Sequence, residues 1–130
     1  MAKILDTNLI IRFLINDYPQ QADKVEKILK DVSEELILTD VVVAEIIYVL
    51  QSNYKLSKEA TVDKLYKLIQ NSTLICHREL IFNTLFIYLN HNISFVDAYL
   101  LAFCEQENLE GIYSFDEGLD KIKSIKRFKP

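Results

Sequence analysis

Breaks and cross-links are scarce in this chain of 130 residues: it has only two Gly, two Pro and two Cys, against a half that is hydrophobic. So little Gly and Pro, beside so much apolar residue, excludes a disordered or low-complexity chain and predicts a compact one rich in regular elements. The two cysteines, Cys76 and Cys104, stand far apart in apolar surroundings, without a CxxC partner. They are expected to be buried reduced thiols, neither a disulfide nor a zinc site. The two histidines, His77 and His91, are equally isolated and receive no chemistry. No apolar run escapes interruption by polar residues for the length of a membrane span. The first residues, Met1-Ala2-Lys3, lead straight into a strand-like run without the pattern of a secretory signal. A cytoplasmic protein of one domain, residues 1–130, is therefore expected.

Positive charge is also in short supply. The net charge is −4, which argues against a surface that binds nucleic acid all over. The exception is the end of the chain, where Lys121, Lys123, Lys126, Arg127 and Lys129 occur with no acid among them. That stretch suits an anionic polymer or an acidic partner, and equally a solvated edge strand guarded by lysines.

What the chain does have is alternation. Ala2 to Leu5, Leu36 to Leu38, Thr73 to Cys76, Gly111 to Phe115 and Ser124 to Phe128 read as short strands. Between them lie amphipathic or apolar helical segments: Thr7 to Ile15, Gln20 to Glu35, Val41 to Tyr54, a helix opened by Ser57, Glu79 to Leu89, and one from Ser94 to about Asn108. Strands that alternate with helices predict an α/β fold, a parallel sheet with helices on both faces.

Most of the nineteen acids fall on polar helix faces. Four do not. Asp6 ends the first strand, in "KILDTNLII". Glu45 lies inside "VVVAEIIYVL", Asp97 inside "SFVDAYLLAF", and Asp116 ends the strand "GIYSF". A carboxylate buried among apolar residues must take a proton, find a partner or bind a cation. Taken singly, Asp6 and Asp116 suit helix caps, and Asp97 matches the acid of a capping box begun by Ser94. Glu45 has no such role; its bland alternative is a helix turned so that it reaches solvent. Taken together, all four are expected near the C-terminal edge of a parallel sheet, where α/β folds bind ligands. Carboxylates gathered there repel one another. With neither His nor Cys among them, they suit a hard divalent cation, Mg²⁺ or Mn²⁺. Such a cation commonly activates water against a phosphodiester, so hydrolysis of nucleic acid is the expected chemistry.

"ILDTNLII", "LTDVVVAEIIYVL", "ISFVDAYLLAFC" and "IYSFDEGLDKI", in that order and at about that spacing, resemble the PIN-domain proteins, in particular the small ribonuclease toxins of the VapC type. The resemblance covers essentially the whole chain. It implies a PIN-like three-layer fold with a central parallel sheet of four to five short strands and helices on both faces. It also implies a Mg²⁺- or Mn²⁺-dependent endoribonuclease, the toxin of a type II toxin–antitoxin pair. By the same resemblance Asp6, Glu45, Asp97 and Asp116 are the metal-binding acids, and Asn8 and Ser114 orient acids or water. Asp120 is a further, more variable acid. An RNA substrate, a cognate antitoxin and a homodimer are implied as partners. A PIN nuclease of RNA processing or decay and a non-catalytic PIN-like binding module are the alternatives. A phosphate-accepting receiver domain lacks its mid-chain aspartate here. A haloacid-dehalogenase-type phosphatase would need an acid where Asn8 stands.

Overall fold

The computed structural model describes every residue from Met1 to Pro130. The chain forms two compact units, Met1–Arg78 and Glu79–Pro130. The fold is α/β, and every strand pairing is parallel.

The first unit runs β1 (Lys3–Ile4), α1 (Thr7–Ile15), α2 (Pro19–Lys30), β2 (Leu36–Ile37), α3 (Asp40–Ser52), α4 (Lys58–Ile69) and β3 (Leu74–Ile75). The strands form one sheet in the order β1-β2-β3, with Lys3 opposite Leu36 and Leu36 opposite Leu74. Side chains alternate across a pleated strand. Leu5, Leu36, Leu38 and Leu74 are therefore buried on one face, while Ile4, Ile37 and Ile75 form a row on the other. Each helix has a local cause. Pro19 occupies the first helical position of α2, where its missing N–H costs nothing. Thr39 accepts the Val42 N–H at 3.2 Å to open α3, and Ser57 accepts the Ala60 N–H at 3.0 Å to open α4. Asn16 closes α1 in the left-handed conformation, φ 58°, which asparagine tolerates better than most residues. Asn71 Nδ2 and Thr73 Oγ1 both donate to the Leu29 carbonyl near the end of α2, at 3.0 and 2.9 Å. These bonds satisfy a helix-terminal carbonyl that has no partner in its own helix.

The second unit contains α5 (Arg78–Asn90, whose first residue closes the first unit), α6 (Phe95–Gln106), β4 (Ile112–Tyr113), a 3₁₀ turn over Glu117–Lys121, and β5 (Arg127–Phe128). β4 and β5 pair in parallel, Ile112 with Arg127 and Tyr113 with Phe128. Gly111 opens this pairing at a close approach: a Cβ there would meet the Lys126 carbonyl oxygen at 2.1 Å and the Phe128 ring at 2.9 Å. The core of the unit is Leu80, Ile81, Leu85, Ala98, Leu101 and Leu119.

The five strands expected from the sequence are thus present and parallel, as a ladder of three in the first unit and a pair in the second. Each is shorter than its apolar run. The helix expected from Gln20 to Glu35 ends at Lys30. Beyond it Asp31 Oδ1 accepts both the Ser33 N–H and the Ser33 hydroxyl, at 2.9 and 2.6 Å, and this local turn competes with further helix. Cys76 and Cys104 are both free, as expected, but only Cys104 is buried and Cys76 is half-buried; burial raises the pKa of each thiol.

Candidate active site

In the first unit, the Leu5 N–H donates to the Ile37 carbonyl at 2.9 Å, so Asp6 is the first residue beyond the sheet. It occupies the N-cap of α1 with an extended backbone, φ −86° and ψ 151°, yet its side chain accepts no cap hydrogen bond. The cap position is real, but the carboxylate is not used by it. Behind it Thr7 is buried, and Asn8 stands exposed on the first turn of α1.

Glu45 sits at mid-helix in α3. The buried side of that helix is Val43, Ile46, Ile47 and Leu50; Val41 and Tyr48 flank Glu45 on the other side and are 76% and 69% exposed. The spacing 41, 45, 48 follows one edge of a helix. Glu45 is exposed, and α3 has no basic residue to pair with it. The premise that these acids are buried therefore needs correction. Asp6, Glu45 and Asp116 are exposed and Asp97 is half-buried, because each lies at a strand end or on a wet helix edge.

In the second unit, Asp97 is in the first turn of α6, and its N–H donates to Ser94 Oγ at 3.1 Å. The return bond of a capping box, from the Ser94 N–H to the Asp97 carboxylate, is not made. Ser94 alone caps α6, and the carboxylate stays uncommitted. Asp116 is held more firmly. Its N–H donates to Ser114 Oγ at 3.0 Å, and its Oδ1 accepts the Gly118 N–H at 2.8 Å. Ser114 is fixed in turn: its N–H donates to the Phe128 carbonyl at 3.1 Å, and its carbonyl accepts from Arg127 Nη1 at 2.9 Å. Asp120 is occupied by Arg127, Nε to Oδ1 at 2.8 Å and Nη2 to Oδ2 at 3.2 Å. These bonds hold its carboxyl below the usual range and raise the guanidinium.

Sequence reasoning missed the Arg127–Asp120 pair and a second one, His77 with Asp40. His77 Nδ1 lies 2.9 Å from Asp40 Oδ2. Asp40 follows β2 and His77 follows β3, and the register Ile37 to Ile75 brings these two strand ends side by side. They share a cleft of about 370 Å³ with Thr39, Val41 and Cys76. The signal available was positional: both residues come within a few positions of the ends of predicted neighbouring strands.

The unoccupied donors are carboxylates. Asp6, Glu45 and Asp97 take part in no ion pair and accept no hydrogen bond through their side chains, and Asp116 Oδ2 is likewise uncommitted. Oxygen donors of this kind fit a hard divalent cation. Within neither unit do three or more Asp, Glu, His or Cys side chains gather as a metal-holding group; Asp6 and Glu45 belong to the first unit, Asp97 and Asp116 to the second. The profile of the PIN domain matches residues 3–125. The chain belongs to the PIN domain family. PIN domains are generally nucleases and typically use divalent metal ions, which agrees with the donor chemistry. A search of curated proteins finds no match to the chain. No helix of this PIN-domain chain is long and apolar enough to cross a membrane.

Proposed function

We propose that this PIN-domain chain is a Mg²⁺- or Mn²⁺-dependent endoribonuclease that works in the cytoplasm as a VapC-type toxin of a type II toxin–antitoxin pair. The observation that carries the nuclease reading is the family match over residues 3–125 together with four carboxylates, Asp6, Glu45, Asp97 and Asp116, that form no ion pair in the fold. One or two divalent cations bound there would neutralise charge on the phosphodiester and acidify the attacking water. Asp6, Glu45 and Asp97 would hold a cation through carboxylate oxygens that no hydrogen bond occupies. Asp116 offers Oδ2, because its Oδ1 is held by the Gly118 N–H at 2.8 Å. Ser114 orients Asp116 through the 3.0 Å bond to its N–H, and Asn8, exposed one helical residue beyond Thr7, orients water or an acid. In-line attack of water would form a new P–O bond while the bond to the opposite ribose oxygen breaks, and that oxygen would leave as a hydroxyl.

A homodimer is part of this reading. It is supported by an apolar stripe on α5: Phe82, Phe86 and Leu89 recur at helical spacing and are all exposed. A cognate antitoxin that covers the acids would silence the enzyme. A PIN nuclease of RNA processing or decay uses the same acids, and a small open reading frame adjoining this gene separates the two. A non-catalytic binding module is disfavoured because all four acids are present.

The test is purified chain with structured RNAs and Mg²⁺ or Mn²⁺, with and without EDTA. Cleavage is expected only with the cation and is abolished in Asp6→Asn and Asp97→Asn. Cleavage that survives EDTA, or that persists undiminished in both variants, overturns the mechanism. Growth arrest on expression, relieved by the same substitutions and by the adjoining gene, tests the toxin role.

A further inference from the structure

The net charge of −4 leaves open how this chain would hold a polyanion, since carboxylates repel phosphate and affinity for nucleic acid rests on cations. The β4–β5 pair offers an answer. Tyr113 and Phe128 are register partners, so they share a face of this two-stranded ladder. Their ring centroids are 5.7 Å apart at 46°. The Lys126 ammonium lies 4.7 Å from the centre of the Phe128 ring. Phe128 is half-buried, while Tyr113 is 76% exposed. Phe115, also 76% exposed, immediately precedes Asp116. The main chain between the two exposed rings is anchored by the bonds from Ser114 to Phe128 and from Arg127 to Ser114, 3.1 and 2.9 Å. The rings are thus mounted on a fixed backbone.

Two exposed aromatic rings, Tyr113 on β4 and Phe115 in the bend just beyond it, near lysines without acids between them, form a combination that suits nucleic acid. The apolar stripe of α5 is chemically different. From Leu80 to Val96 the sequence has no Asp, Glu, Lys or Arg, so that stripe has apolar area and no charge to offer a polyanion. At the chain end Arg127 is consumed by Asp120, but Lys121, Lys123, Lys126 and Lys129 are exposed. Aromatic faces accept bases only when the bases are out of a duplex stack.

We propose that the β4–β5 pair and the bend that follows β4 form a stacking platform for an unpaired RNA strand, with bases on Tyr113 and on Phe115 and phosphates on Lys126 and Lys129. The inference rests on the ribonuclease reading above and adds to it the residues that hold the strand. A base on Phe115 brings its own phosphate to the neighbourhood of Asp116, so the platform sets which phosphodiester reaches the acids. Any base has a face to stack, so the preference is for unpaired structure, not for one sequence.

The test is fluorescence anisotropy of the full chain in EDTA, with an unstructured labelled RNA of twelve nucleotides and with a blunt duplex of the same strand. The single strand is expected to bind at least about tenfold more tightly than the duplex, and Tyr113→Ala and Phe115→Ala each to weaken it by about five- to a hundredfold. Tyr113→Phe keeps the ring and should keep the affinity, which separates stacking from a folding defect. Lys126→Gln and Lys129→Gln should each lower the slope of log affinity against log salt by about 0.7. Equal binding of duplex and single strand, or unchanged affinity in both alanine variants, overturns the proposal. So does a shift from dimer to monomer in Tyr113→Ala with RNA affinity intact, since the face would then serve a second copy of the chain. Single-strand binding on this face without cleavage under any cation defeats the nuclease reading and leaves the platform standing. Cleavage with normal binding by the variants does the reverse.

Discussion

Arg127 grips Asp120 with two nitrogens, at 2.8 and 3.2 Å, and reaches the Ser114 carbonyl with its third at 2.9 Å. The guanidinium thereby ties the two ends of the segment that carries Asp116, and Asp120 serves structure instead of a cation. The hydrogen bonds from Arg127 hold the Asp120 carboxyl below its ordinary value. A carboxyl depressed in the folded state gives stability that is fully present above the unfolded pKa and lost as pH falls through the folded one. Asp120→Asn is therefore expected to retain cleavage but to lower Tm near neutrality. Its deficit relative to the native chain should shrink below about pH 4. Thermal melts of both proteins at pH 7 and pH 3 check this; a deficit that stays constant with pH would remove the ionic role.

Ser94 and Asp97 separate capping from chemistry. Ser94 makes the cap bond of α6 and the Asp97 side chain makes none. Ser94→Ala should cost about 1 kcal/mol of stability, read by urea denaturation, and leave cleavage at permissive temperature. Asp97→Asn should do the opposite: near-native stability and no cleavage.

Glu45 and Ile46 make a similar contrast on α3. Ile46 is 0% exposed, and Ile46→Ala should destabilise the chain by about 2–5 kcal/mol. Glu45 is exposed without a basic partner on its helix, so Glu45→Gln should leave the denaturation midpoint unchanged and remove cation-dependent activity. A large stability loss in Glu45→Gln would mean that the side chain has a structural partner.

Gly111 faces the Lys126 carbonyl so closely that a methyl group would lie 2.1 Å from the oxygen. Gly111→Ala is expected to separate β4 from β5, lower Tm and speed amide exchange at Ile112 and Ser114, whose N–H groups donate to Lys126 and Phe128. Exchange rates equal to those of the native chain would contradict that packing.

Much of this arrangement was legible in the sequence because it is local. The helix over Thr7–Ile15 and the caps Ser57 and Ser94 follow from residue type and spacing, and they stand where expected. Strand positions were legible too, since apolar runs end at polar residues. Their lengths were not, because pairing depends on a neighbour far along the chain. The same reason hid the pair of Asp40 and His77, thirty-seven residues apart, and the capture of Asp120 by Arg127. The burial of the acids was misjudged for a different cause. Apolar neighbours in sequence alternate around a helix, so Glu45 reaches solvent between Val41 and Tyr48 although Ile46 and Ile47 beside it are buried.

The most direct measurement is the single-turnover rate of cleavage of a labelled RNA in Mn²⁺ by the native chain and by Asp6→Asn, Glu45→Gln, Asp97→Asn and Asp116→Asn, each matched for Tm. The account predicts that EDTA stops the native reaction and that every variant loses more than about a hundredfold, the upper range for residues that merely support a metal site. A native rate indifferent to EDTA, or variants of native stability that cleave at the native rate, would contradict it.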